Sequence, residues 1–281
     1  MAGLKGFKSG VNSFFKAIPF IFENKLWWSF LIPLVLNIIL FISGYSLTEY
    51  FADLISTKID SLISISSDSK FMQAIPGFLT GFAKIIMHIA YFFLFAFFSG
   101  YIILIFLSPL FAWLSEKTDN ILNGDDYPFE FGQFIKDIWR GILIALRNMF
   151  FEIGVTILIL VASLIPTIGQ IISPFTIIFY FIISSYFYGF SYMDYTCERK
   201  RFSVSESIQI IRKYRGLAIA NGALFSFSLM IPFCGVLLAG FTAIISTVGA
   251  TIAMNDLPEI KERKIIKKNN SLKTSNPTYT K

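Results

Sequence analysis

The only histidine in the chain, His88, follows Lys84 by four residues, so the two share a face of any helix through this stretch. An ammonium and an imidazole at that spacing within an apolar run could relay a proton. In the plainer reading, Lys84 reaches toward acidic groups at the end of its span and His88 makes one hydrogen bond to a neighbouring helix. One histidine supplies no zinc-ligand pair and no histidine-based triad. Arg147 and Glu152 could pair across a wet vestibule or form a structural pair near an interface. Cys197 and Cys234 stand alone, one beside a charged run and one inside an apolar stretch, so they make neither a disulfide framework nor a metal site. The acidic residues are scattered, and no glycine-rich phosphate loop occurs. The expectation is a protein with no catalytic residue, metal or cofactor: not an enzyme.

The elements that carry these residues are those of a membrane protein. Of 281 residues, 55% are hydrophobic and only 15% charged, and mean hydropathy is +0.66. A soluble domain of this length could not bury that much apolar surface in one core. The net charge of +6 then reads as basic loops held on an anionic leaflet rather than as a nucleic-acid footprint. No cleavable signal sequence is expected, because the first long apolar run starts only at Leu26.

Leu4, Phe7, Val11, Phe14, Phe15, Ile18 and Phe22 recur every three to four residues, with Lys5, Lys8 and Lys16 opposite. Residues 1–25 therefore read as an amphipathic helix, lying in the headgroup plane or packed on the protein's own helices. Leu26–Tyr45 is free of formal charge and long enough to span. Residues 49–70 are polar and net acidic. A second span runs from Phe78 to Leu107 and closes at Ser108-Pro109, where the residue before proline leaves helical geometry. Trp113–Arg147 is polar, with a turn at Gly124-Asp125-Asp126 and an amphipathic helix from about Phe131.

Two further apolar blocks, Met149–Phe190 and Leu217–Met254, break at Pro166-Thr167-Ile168-Gly169-Gln170 and Pro232-Phe233-Cys234-Gly235. Each break is an Ile-Pro-x-x-Gly without charge. With arms as short as Met149–Ile165 and Leu217–Ile231, each block reads as a re-entrant or short helical hairpin with its tip at Pro166, Gly169 and Gln170 or at Pro232 and Gly235. Tight pairs of full spans are the other solution. Between the hairpins, Ser203-x-x-Glu206 forms a capping box that starts a helix. Residues 26–256 make one membrane domain, followed by a basic tail, 257–281, expected to be disordered. With two spans and two hairpins, every loop richer in Lys and Arg falls on the side of the N-terminus, predicting N-in, C-in.

The fold class so read is an all-α integral membrane protein with two full transmembrane helices, two hairpins and amphipathic interfacial helices. On that frame lie Leu31-Ile32-Pro33-Leu34-Val35-Leu36-Asn37, Ser108-Pro109-Leu110, Phe134-Ile135-Lys136-Asp137, the Ile165–Gln170 tip, Tyr192-Met193-Asp194-Tyr195 and Met230-Ile231-Pro232. In this order and spacing they resemble the CysZ-type sulfate permease family, which shares a domain with the eukaryotic EI24 membrane proteins. The resemblance covers about Gly6 to Asp256. It implies a sulfate channel or permease of the bacterial inner membrane, surrounded by lipid and assembled as a homo-oligomer. A non-transporting EI24-like protein that organises lipid or partner proteins is the alternative. The resemblance also implies an anion site at the turn into the first span: a glycine, an aliphatic residue, then arginines. The matching stretch is Asn24-Lys25-Leu26-Trp27-Trp28-Ser29, with Lys25 in the place of the glycine and Trp27 and Trp28 in the places of the arginines.

Overall fold

A computed structural model of the protein describes residues 3–62, 70–124, 131–231, 235–263 and 265. They are helical almost throughout, and no strand occurs among them. The helices are α1 (Leu4–Glu23), α2 (Leu31–Leu62), α3 (Lys70–Phe106), α4 (Ser108–Asn123), α5 (Phe131–Leu164), α6 (Pro166–Ile172), α7 (Thr176–Arg199), α8 (Val204–Lys213), α9 (Arg215–Leu229) and α10 (Gly235–Asn255). Short 3₁₀ turns at Trp27–Phe30 and Ser173–Phe175 lead into α2 and α7, and 258–263 adds a last helical stretch.

The helix boundaries follow local chemistry. Pro109 sits in the first turn of α4, where its missing N–H is not needed, and Gly124 ends α4 in the left-handed region at φ +67°. Ser203 caps α8, with its hydroxyl accepting from the Glu206 N–H and the Glu206 carboxylate accepting from the Ser203 N–H. The first break falls where expected, between Leu164 and Pro166. Pro232, Phe233 and Cys234, at the second, lie outside the described residues.

Three expectations are corrected. The amphipathic helix near Phe131 and the hairpin arm at Met149 are one helix, α5, about 51 Å long. No proline interrupts it, and Arg147 is accommodated over the rings of Phe151 and Phe190 at 5.1 and 5.4 Å. Its length therefore no longer argues for a short arm, whereas α9, at 15 residues, spans only about 22 Å. The polar segment from Glu49 is not a loop: α2 continues to Leu62, joined to α3 by Lys84 Nζ to Asp53 Oδ1 at 2.7 Å and by His88 Nε2 to Glu49 at 3.1 Å. Lys84 and His88 thus act as the plainer reading holds. Finally, Leu257 and Ile260 belong to the core, so the folded chain runs past the expected start of the tail.

Among the described residues, five helical segments are long and apolar enough to cross a bilayer: Trp27–Lys58, Gly77–Leu94, Phe131–Leu164, Thr176–Arg199 and Leu238–Asn255. At the centre, α7 lies against α9. A Cβ on Gly189 would stand 1.8 Å from the Ala218 carbonyl oxygen, and one on Gly222 1.8 Å from that of Ser185. The pairs Ser185/Gly189 and Ala218/Gly222, each four residues apart, let two backbones touch. Helices α4, α5 and α10 pack on α7, and α10 also on α9. The long α2–α3 pair stands to one side and meets the rest chiefly through α10 and α5.

Packing places α1 across α9 and α10 through Gly6, Gly10, Ser13, Phe14, Ala17 and Ile21, while Leu4, Phe7, Phe15 and Phe22 stay exposed. Small residues make most of the protein contact, together with Phe14 and Ile21, while Leu4, Phe7, Phe15 and Phe22 face outward.

Replacing Gly222 with alanine, or Gly189 with alanine, should force α7 and α9 apart and lower stability by about 1–3 kcal/mol each. Thermal unfolding of the detergent-solubilised protein measures it; variants as stable as wild type would refute the close crossing.

Candidate functional site

The stretch Asn24–Ser29 is built by the way α1 ends. Leu26 N–H donates to Ile21 O at 2.8 Å and Lys25 N–H to Phe22 O at 3.2 Å, the two bonds of a Schellman cap. The position between them must be left-handed, and Lys25 holds it at φ +57°. A side chain there costs about 1–2 kcal/mol relative to glycine. The lysine therefore occupies a glycine's conformation in the glycine's place. Asn24 Nδ2 closes a further bond to Phe20 O at 2.8 Å, and buried Leu26 packs with Ile21 in the core.

Ser29 is fully buried and turned inward, its hydroxyl donating to Leu26 O at 2.7 Å. Trp27 and Trp28 remain partly exposed, and the Trp28 ring lies 5.2 Å from that of Trp113. The exposed polar groups of this turn are the ammonium of Lys25, which joins no ion pair among the described residues, and indole N–H donors. One mobile positive charge beside a helix start favours an anion but gives no planar fork to grip it.

The residues expected at the first hairpin tip lie elsewhere. Residues 27–30 pack on α2 and α10, whereas α6, which carries Pro166, Gly169 and Gln170, packs on α5. Gly169 is buried with its N–H on Ile165 O, and a Cβ there would stand 2.1 Å from Ser163 O; Pro166 and Gln170 are exposed. At the second tip, Gly235 N–H donates to Ile231 O at 2.9 Å.

Arg147 and Glu152 do not pair. Five helical residues rotate them about 140° apart. Arg147 turns to Asn148, and Glu152, 1% exposed, accepts from the hydroxyls of Tyr101 on α3 and Ser184 on α7. A second buried polar set escaped sequence reasoning altogether. Arg140 on α5 grips Asp194 through Nε and Nη2 at 3.1 and 2.9 Å, and donates to Phe202 O and Ser207 Oγ. Asp194 lies in the Tyr192–Tyr195 motif, the one signal that could have pointed to it. Lys200 and Asp119 form a fully buried pair at 2.6 Å. Near this set, hydrogen bonds from the Ser203 backbone and side chain hold the Glu206 carboxyl below the usual glutamate range.

Residues 13–239 match the family model described as sulfate transporter CysZ/etoposide-induced protein 2.4. A protein named sulfate transporter CysZ from Pseudomonas aeruginosa is 24% identical over 236 residues, covering 82% of this chain and 89% of the relative. Those of the same name from Pectobacterium atrosepticum and Pseudomonas paraeruginosa are each 23% identical; they cover 82% of this chain and 80% and 89% of their own lengths.

The left-handed position makes a simple forecast. Lys25→Gly should stabilise the protein by about 0.5–1 kcal/mol, the relieved strain less the added freedom of the unfolded chain, while Lys25→Ala should not. Comparing unfolding midpoints of the two variants tests it, and equal midpoints would refute the strain.

Proposed function

The chain belongs to the sulfate transporter CysZ/etoposide-induced protein 2.4 family, and from that premise we propose that it passes sulfate or a similar small anion across the bacterial inner membrane as a permease or channel. The observation that carries the reading is the turn at Lys25. It is left-handed at Lys25, the conformation a glycine takes, and it lies where the family resemblance implies an anion site, although the implied glycine and arginines are replaced. The anion would meet Lys25, the indole N–H groups of Trp27 and Trp28 and the backbone N–H groups at the start of the span, with Asn24, Leu26 and Ser29 shaping the turn.

In this arrangement α2 and α3 are the full spans. The blocks α5–α7 and α9–α10 form hairpins whose tips at Pro166–Gln170 and Pro232–Gly235 border the path. Helix α1 lies at the headgroup level with Phe7, Phe15 and Phe22 in lipid, and both termini are cytoplasmic. Several copies assemble. The exchange of arginines for Trp27 and Trp28 favours a second reading, an EI24-like protein that organises lipid or partners without transport.

Sulfate flux in proteoliposomes separates the two. Lys25→Ala should weaken sulfate uptake about tenfold or more, as expected for loss of one charge-assisted hydrogen bond. The double change Trp27→Arg, Trp28→Arg should strengthen it. No flux in wild type or in the arginine variant would leave the non-transporting reading standing.

Orientation has its own test. Single cysteines at the exposed Thr57 and Ser205 of a cysteine-free protein should label from opposite faces of the membrane. Labelling of both from one face would sink the single-orientation arrangement.

A further inference from the structure

We propose that the crevice where α5, the end of α7 and the start of α8 meet binds a small zwitterion, an α-amino acid, at a site distinct from the Lys25 turn. The crevice has a volume of roughly 350 Å³, within the usual range for small-molecule sites. Its walls include Lys136 and Asp137 of α5, Glu198 of α7, and Arg201, Ser203 and Glu206 at the entry to α8.

Most of the polar groups there are already used. Arg140, also in the wall, is neutralised by Asp194, and two further N–H donors go to Phe202 O and Ser207. Glu206 is held by the Ser203 N–H at 2.7 Å, and Asp137 accepts from the Gln133 amide.

Two sets of groups are left over. One is Glu198, 5% exposed, whose Oε2 is buried and accepts no hydrogen bond among the described residues. A carboxylate oxygen in that condition is costly and calls for a cationic or N–H donor. The other is the ammonium of Lys136 and the guanidinium of Arg201, neither in an ion pair among the described residues. Next along the chain from the lining residue Ser203, the Val204 and Ser205 N–H groups stand in the first turn of α8, where no intrahelical acceptor exists. These groups call for an anion.

A simple anion would meet Glu198 and Asp137, and a simple cation would meet Lys136 and Arg201. An ammonium and a carboxylate on one short skeleton satisfy both sets at once. Arg201 also sits at φ +59°, the left-handed position of a second Schellman cap, with Phe202 N–H on Cys197 O at 3.0 Å. The turn thus fixes the stem of Arg201 at the edge of the crevice.

The test is isothermal titration of the full chain in nanodiscs with each of the twenty common L-amino acids and with inorganic sulfate. Whichever amino acid binds is then compared with its decarboxylated amine and its deaminated acid. Saturable binding by at least one amino acid is expected, with both truncated analogues and sulfate at least tenfold weaker. Glu198→Gln and Arg201→Gly should each weaken binding at least tenfold; glycine suits the backbone at 201, so that variant keeps the turn. Should Glu198→Gln fail to fold, Arg201→Gly and Lys136→Ala decide. The proposal is overturned if no amino acid binds, if the amine, the acid or sulfate alone binds as tightly, or if the folded variants bind unchanged. None of these outcomes depends on whether the chain transports sulfate.

Discussion

Two backbones in contact, α7 against α9 at Gly189 and Gly222, set the distances from which the rest of the molecule is measured. In lipid, apolar side chains gain little by leaving one greasy environment for another, so helix association relies on close van der Waals contact and on polar bonds. Bringing the axes this near places Tyr188 and Tyr192 edge-on to Phe225, with ring centroids 4.7 and 5.6 Å away. It also leaves a shallow surface over α9 and α10 that only a helix with a small-residue face can cover. The Gly6, Gly10, Ser13 and Ala17 row of α1 meets that need, with Gly10 against Ala220 and Leu217.

From that pair outward, α7 carries buried charge toward its C-terminal end, and apart from Glu198 these charges are answered by neighbouring helices. Asp194 is held by Arg140 of α5 and Lys200 by Asp119 of α4, while Arg199 reaches Glu116 and the Ala112 carbonyl. Removing one partner of the fully buried Lys200–Asp119 pair, or of the largely buried Arg140–Asp194 pair, leaves the other charge stranded, which is far costlier than losing a surface pair. These bonds specify which helices adjoin α7 rather than adding much net stability. Glu152, farther along α5, has hydroxyl donors instead of a cation, a quieter arrangement that joins α3 and α7 to α5.

Local signals survived into the structure and long-range ones did not. The Ser203/Glu206 capping box, the turn at Gly124 and the Pro166 break each act through backbone geometry within a few residues, and each was legible; at Ser108-Pro109 the end of a helix was legible, but Ser108 is itself helical and opens α4. The continuity of α5 was not, because Arg147 interrupts the hydropathy pattern while its guanidinium rests on rings one turn away and on α7. The extension of α2 to Leu62 was hidden in the same way, since Glu49 and Asp53 look like loop residues until Lys84 and His88 on α3 answer them. For α1 the periodicity was right but the choice of face was incomplete: Phe7, Phe15 and Phe22 marked the outer side, while small residues with Phe14 and Ile21 made the contact. At the Lys25 turn, the position of the glycine-like backbone was legible from the family resemblance, but the inward turn of Ser29 and the contact of Trp28 with Trp113 depend on packing partners distant in sequence.

The division of α1 into two faces has a mechanical side. One face is locked to α9 and α10 by contacts too close to slide, and the other projects Phe7, Phe15 and Phe22 like a row of oars. A displacement of those rings would be delivered as torque to α9 and α10, the two helices that α1 grips.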